Sequence, residues 1–133
     1  MAMEVVLGID IGGTYTKIGL VDRSGEIHFE DEVPTTGYDT IKQYIEAIHL
    51  HVNESLKQLE ARFQLVGIGV GAPNGNYYTG CIENAANLAW KGIVEFVKLM
   101  ENQFQIPTVV TNDANAAALG EMLFGGAKVL NKF

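Results

Sequence analysis

The feature that most restricts this chain is the stretch Val5–Asp22, VVLGIDIGGTYTKIGLVD. Two apolar runs, Val5 to Ile11 and Ile18 to Val21, meet through Gly12-Gly13-Thr14. Apolar runs on either side of a glycine pair read as a β-hairpin. The first run is apolar at almost every residue, so it is expected to be buried on both faces. One acid, Asp10, stands at its end. A carboxylate buried there has to be paired, hydrated or metal-bound. Gly12 and Gly13 permit a tight turn and close approach to backbone N–H groups. Thr14 and Thr16 add hydroxyls and Lys17 a cation. That set suits a phosphate with its Mg²⁺, although a glycine pair between strands serves equally well as a plain turn. Two phosphate motifs are excluded. No Gly-Lys-Ser/Thr triplet occurs, and the glycines lead into a strand-like segment rather than a helix.

The remaining pattern is alternating strand and helix. Arg23-Ser-Gly25 signals a turn, and Glu26–Val33 a third, half-exposed strand. Asp39 is placed to cap a helix carrying the apolar stripe Ile41, Tyr44, Ile45, Ile48, Val52, Leu56 and Leu59. His49 and His51 are two apart, cannot share a helix face, and read as surface residues. Leu65–Ala72 is a glycine-rich strand ending in Pro73-Asn-Gly-Asn76, and Tyr77–Ile82 suggests a small hairpin. Gly92 is expected to open a helix with the stripe Ile93, Phe96, Val97 and Met100. Pro107–Thr111 reads as a strand, Ala114–Phe124 as a helix closed by Gly125-Gly126. Asp113 therefore falls where a strand meets a helix, a position that suits a ligand-binding acid and a simple helix cap alike. The predicted fold is α/β, with a five-stranded mixed sheet. Val5–Ile11, Lys17–Val21 and Ile27–Val33 form an antiparallel meander, and Leu65–Gly71 and Thr108–Thr111 lie parallel to its first strand.

Composition narrows the function. The 133 residues suffice for one domain with its own core. A net charge of −7 argues against general nucleic-acid binding. No apolar run is long enough to span a membrane. A single cysteine, Cys81, and no secretory signal point to a cytoplasmic protein. Three loops, Asp10–Thr14, Gly71–Gly75 and Asn112–Asn115, leave the carboxyl ends of predicted strands and should converge on one edge. Asparagine and aspartate there suit a polyol, and phosphoryl transfer needs little beyond positioning, charge neutralisation and a carboxylate base.

LGIDIGGTYTKIGLVD resembles the first phosphate loop of the sugar kinase, actin and heat-shock chaperone superfamily. DIGGT followed by TK is most similar to the ROK family of sugar kinases and repressors. GIGVGAPNG resembles that family's second loop, AANLAW its sugar-binding stretch, and TNDANAAALGE its Asn-Asp pair. The resemblance implies a ribonuclease H-like domain from an ATP-dependent hexose kinase acting on glucose. It implies Asp113 as catalytic base, with Asn112, Asn87 and the Ala72-Pro73 loop at the sugar. Asp10, Gly12, Gly13, Thr14 and Lys17 would face the nucleotide phosphates and Mg²⁺. The chain departs from the family pattern at Tyr15, Asn74 and Ala86, where Lys, Gly and Pro are frequent. The resemblance also implies a second domain holding the adenosine pocket, a sugar clamp and, in most members, zinc. Residues 1–133 are accordingly expected to be the N-terminal domain, inactive alone and prone to self-association through Leu119, Met122 and Phe124 of the last helix. The alternatives are a sugar-responsive repressor, whose winged helix-turn-helix would precede the phosphate loop, and a non-catalytic sugar-binding module.

Overall fold

The computed structural model of the chain describes residues 2–59, 62–86 and 88–112. β1 (Met3–Ile11) is central. It pairs antiparallel with β2 (Tyr15–Asp22) and parallel with β4 (Phe63–Ala72). β3 (Ile27–Pro34) flanks β2, β8 (Thr108–Asn112) flanks β4, and the order is β3-β2-β1-β4-β8. The predicted mixed five-stranded sheet, with its antiparallel meander and parallel partners, is therefore the observed one. Helix α1 (Ile41–Gln58) connects β3 to β4, and α2 (Phe96–Phe104) precedes β8. A second, small sheet of β5 (Gly75–Asn76), β6 (Cys81–Glu83) and β7 (Ile93–Val94) lies between them in sequence.

Strand alternation decides what faces the helices. Val5, Leu7, Ile9 and Ile11 of β1, Ile18 and Leu20 of β2, and Ile68, Val70 and Ala72 of β4 join one buried cluster with Tyr44, Ile45, Ile48 and Val52 of α1 and Phe96, Met100 and Phe104 of α2. The opposite face of β1 is buried too, through Val6 and Gly8. Both faces of β1 are thus covered, as its unbroken apolar run requires.

Several expectations need correction. The cap of α1 is Thr40, not Asp39. Thr40 Oγ1 accepts from Gln43 N–H at 3.2 Å while Gln43 Oε1 accepts from Thr40 N–H at 3.3 Å. This reciprocal box satisfies two helix-end groups at once, which Asp39 cannot do. Gly92 does not open a helix. It sits at φ +75°, its carbonyl accepts from Asn84 N–H at 2.8 Å, and Ile93–Val94 then pair with β6. The unfilled edge of β6 captures those residues, and Ile93 is 68% exposed rather than part of a core stripe. His49 and His51 are half-buried connectors. His49 contacts the Phe104 ring at 4.4 Å and Gln103 Nε2 at 2.8 Å, and His51 pairs with Asp31 at 2.7 Å. The expected helix Ala114–Phe124, with Leu119, Met122 and Phe124, lies outside the described residues.

The β2–β3 turn is stapled by Asp22. Its Oδ1 accepts from Ser24 O–H at 2.6 Å, Ser24 N–H at 2.8 Å and Glu26 N–H at 3.1 Å, and Oδ2 meets His28 Nε2 at 2.7 Å. The Ser24 hydroxyl and then His28 hold this carboxyl well below its ordinary value of 3.8, outweighing the opposing effect of burial. A depressed folded-state pKa contributes stability that is complete above the unfolded value and lost as pH falls towards the folded one. The Asp22 contribution should therefore fade as pH drops below 3.8. Thermal melts of the parent and of Asp22→Asn should differ near neutrality, with the parent more stable, and converge as the pH is lowered through that range.

Gly75 makes a second test. A Cβ there would lie 2.5 Å from the Thr111 carbonyl oxygen, which is backbone and cannot swing away. Gly75→Ala should destabilise the protein by roughly 1–3 kcal/mol, the usual cost of overpacking, read as a lower denaturation midpoint.

Candidate functional site

The carboxyl ends of β1, β4 and β8 lie side by side because these strands are parallel. Asp10 is level with Gly71, and Ala72 is level with Asn112. The Ala72-Pro73-Asn74-Gly75 loop is pressed onto β8 at Gly75, next to Thr111. Asn74 takes a left-handed φ of 59°, its Nδ2 donates to Asn84 O at 3.1 Å, and its carbonyl accepts from Glu83 N–H at 3.1 Å. Asp10, Ala72, Pro73 and Asn112 thus stand on one edge of the sheet. Asn87 and Asp113 lie outside the described residues.

The β1–β2 turn hangs over the same edge. Gly12 N–H donates to Tyr15 O at 3.0 Å, closing the hairpin around Gly13 and Thr14, both exposed. A Cβ on Gly12 would come within 2.8 Å of that same Tyr15 oxygen, so the turn needs glycine there. Asp10 is half-buried, not buried as its neighbours suggest, because the strand end opens to solvent. No hydrogen bond or ion pair reaches its carboxylate among the described residues. Lys17 is exposed and directly opposite Asp10 across the hairpin, within the same row as Glu32 of β3. The pair has the register for an ion pair, yet the two groups do not meet within 4.0 Å among the described residues.

Beneath the turn lies a chain of hydroxyls. Thr16 Oγ1 is 2.6 Å from Tyr44 Oη and 2.8 Å from Thr35 Oγ1, all three residues being buried. Thr35 N–H in turn donates to Thr14 O at 2.9 Å, so the hairpin tip is held from below. Burial raises the Tyr44 pKa far above its ordinary 10.0, more than its hydrogen bond to Thr16 lowers it, so the phenol stays neutral. The Tyr44 ring also contacts that of Trp90, at 4.5 Å between centroids. Helical spacing places Tyr44 in the apolar stripe of α1 and does not reveal this network. The available signal was Thr16 itself, a hydroxyl in alternation with core residues Ile18 and Leu20, which a buried environment obliges to find a partner.

A mixed sheet of this order, with an antiparallel meander, parallel strands and a glycine-turned hairpin at its carboxyl edge, defines the ribonuclease H-like, actin-like fold of the sugar kinases. The chain belongs to the ROK family, whose family model matches residues 6–133. It is 37% identical over 127 residues to a glucokinase of Halalkalibacterium halodurans, covering 92% of this chain and 38% of that protein. It is also 30% identical over 122 residues to a xylose repressor of Caldicellulosiruptor bescii, covering 90% of this chain and 30% of that one. Among solved structures, a ROK family glucokinase from Streptomyces griseus in complex with glucose and AMPPNP superposes with a TM-score of 0.70 at 31% identity, covering 92% of this chain and 37% of the other. The chain therefore spans about a third of the length of these relatives.

Gly12→Ala offers a direct check on the turn geometry. The added methyl should push the Tyr15 carbonyl away and loosen the Thr35 N–H bond to Thr14. Amide hydrogen exchange at Thr35 should accelerate, while amides of β4 and α2 should exchange as in the parent.

Proposed function

We propose that residues 1–133 are the N-terminal domain of an ATP-dependent hexose kinase with glucose as its substrate. One observation carries the reading: the Asp10–Thr14 turn, the Ala72–Gly75 loop and Asn112 share one sheet edge. That edge supplies a phosphate-type turn and polyol-type side chains within one site. The glucokinase relatives support it.

The residues at the end of β1 fit a nucleotide phosphate with Mg²⁺. The Asp10 carboxylate is half-buried and unengaged among the described residues, Gly12 allows close backbone approach, and Gly13 and Thr14 are exposed. Lys17 adds a positive charge on the same row. When bound, Mg²⁺ would supply neutralisation of the phosphate charge. In this reading Asn112, Asn87, Ala72 and Pro73 orient the sugar, and Asp113 accepts the proton of the attacking hydroxyl as its oxygen bonds to the γ-phosphorus and the bond to the bridging oxygen breaks, releasing ADP. The adenosine pocket and any zinc belong to a second domain, and the working protein is a homo-oligomer in the cytoplasm.

A second reading has a specific observation in its favour. The xylose repressor relative shares nearly the whole of this chain, so the same domain can serve a sugar-responsive regulator. Turnover separates the two. The full-length protein should consume ATP in the presence of glucose and more slowly with other hexoses. Asp113→Asn should lower kcat by about 10²–10⁴-fold, the usual worth of a general base, with sugar affinity changed much less. Asn112→Ala should raise the sugar KM first. Absence of turnover with every hexose, combined with sugar-relieved binding to DNA, would establish the repressor reading instead. Parent-like turnover by Asp113→Asn would reduce Asp113 to a helix cap.

A further inference from the structure

The two halves of the proposed site meet on one side chain. Tyr44 has no exposed surface. One side of its ring packs against Trp90, at 4.5 Å and 41°. Trp90 belongs to the loop that begins at Asn84 and closes at Gly92, and this loop is rooted in the core by Ala85 and Leu88, each at most 2% exposed. It carries the AANLAW stretch that resembles the family's sugar loop. The Tyr44 hydroxyl bonds Thr16 and through it reaches Thr35, whose N–H holds the Thr14 carbonyl at the tip of the phosphate-side turn.

We propose that Tyr44 is a positioning residue that couples sugar binding at the Asn84–Gly92 loop to nucleotide binding at the Gly12–Tyr15 turn. The inference rests on the kinase reading above. Its physical basis is the cost of breaking a buried hydrogen bond. Tyr44, Thr16 and Thr35 are at most 4% exposed, so water cannot replace a lost partner. Thr16 Oγ1 has one proton and serves two hydroxyls, which makes the three oxygens a single network rather than two separable contacts. A sugar that settles the Trp90 loop fixes the plane of the Tyr44 ring. Fixing the ring fixes the hydroxyl, and the network then holds Thr35 and the Thr14 carbonyl in place. Tyr38 reinforces the arrangement, its ring 5.5 Å from that of Tyr44 and its hydroxyl donating to Pro34 O at 3.1 Å. A ligand bound on one side thereby meets a turn already ordered on the other, which is positive coupling.

Contiguity alone does not establish coupling, so the test measures coupling itself. In the full-length protein, the Kd of AMPPNP is determined by calorimetry with and without saturating glucose, for the parent and for Tyr44→Phe, Thr16→Val and Thr16→Ser. The ratio of the two constants is the coupling factor. For the parent it should fall within the usual range of about 5–150-fold. Tyr44→Phe and Thr16→Val, which keep shape but break the hydroxyl chain, should bring it to within about twofold of unity, while glucose affinity measured alone changes little. Thr16→Ser keeps the hydroxyl and should retain the parent factor. A merely structural role predicts otherwise: lower thermal stability with the coupling factor preserved. That result, or a parent factor of unity, would overturn the inference while leaving the kinase reading intact. A parent that binds neither glucose nor AMPPNP would overturn the kinase reading and the inference with it. Should Tyr44→Phe fail to fold, the Thr16 pair decides the matter alone.

Discussion

The parallel register of β1 on β4 is the constraint from which the site follows. Asp10 beside Gly71 and, one strand further, Ala72 beside Asn112 are fixed by backbone hydrogen bonds, not by the side chains that would act there. A slip of one residue would turn Leu7 and Ile9 out of the helix-covered face and bring Asp10 into it. The cost of burying that carboxylate unpaired, added to the loss of the apolar cluster, forbids the alternative. Register is therefore enforced by the core, and the edge inherits its geometry. The bulge between Val5 and Val6 adjusts the pairing at the amino end of the strand, leaving its carboxyl end regular.

What could be read in the sequence divides along physical lines. β1, β2 and β4 were legible because apolar runs of such density have few other places to go, and α1 because its stripe has helical spacing. β7 was not. Ile93 fits a helical stripe when taken with Phe96, Val97 and Met100, and only the open edge of β6, a tertiary feature, draws Ile93 and Val94 into a strand. The helix cap is ambiguous in the sequence because Asp39 and Thr40 are both capping types, and the choice depends on where Gln43 reaches. The spacing of His49 and His51 by itself points to the surface. Both are half-buried because each finds a specific partner on another element, Gln103 and Asp31. For the site, Asp10, Ala72, Pro73 and Asn112 come to one edge as expected, whereas the hydroxyl chain under the turn needed three elements in place before it could be seen.

Kinases and repressors among the relatives share this domain, and the fold offers a reason. The Asn84–Gly92 loop, the hairpin turn and helix α1 are joined through Tyr44, which touches Trp90 of the loop and Thr16 beneath the turn. Whether such a unit serves phosphoryl transfer or signalling depends on what else is joined to it. A sugar-dependent ordering of the turn would be useful to both, since a repressor also needs ligand occupancy to alter something beyond the binding loop.

The outer strand of the meander has a consequence of another kind. Among the described residues β3 is the last strand on its side of the sheet, and it carries Glu30, Asp31 and Glu32 in succession, all exposed. An open strand is a template on which a neighbouring molecule can continue the sheet. A second copy arriving along this one would bring acid against acid, in a chain whose net charge is already −7. Sheet extension by a second copy is therefore disfavoured on that flank.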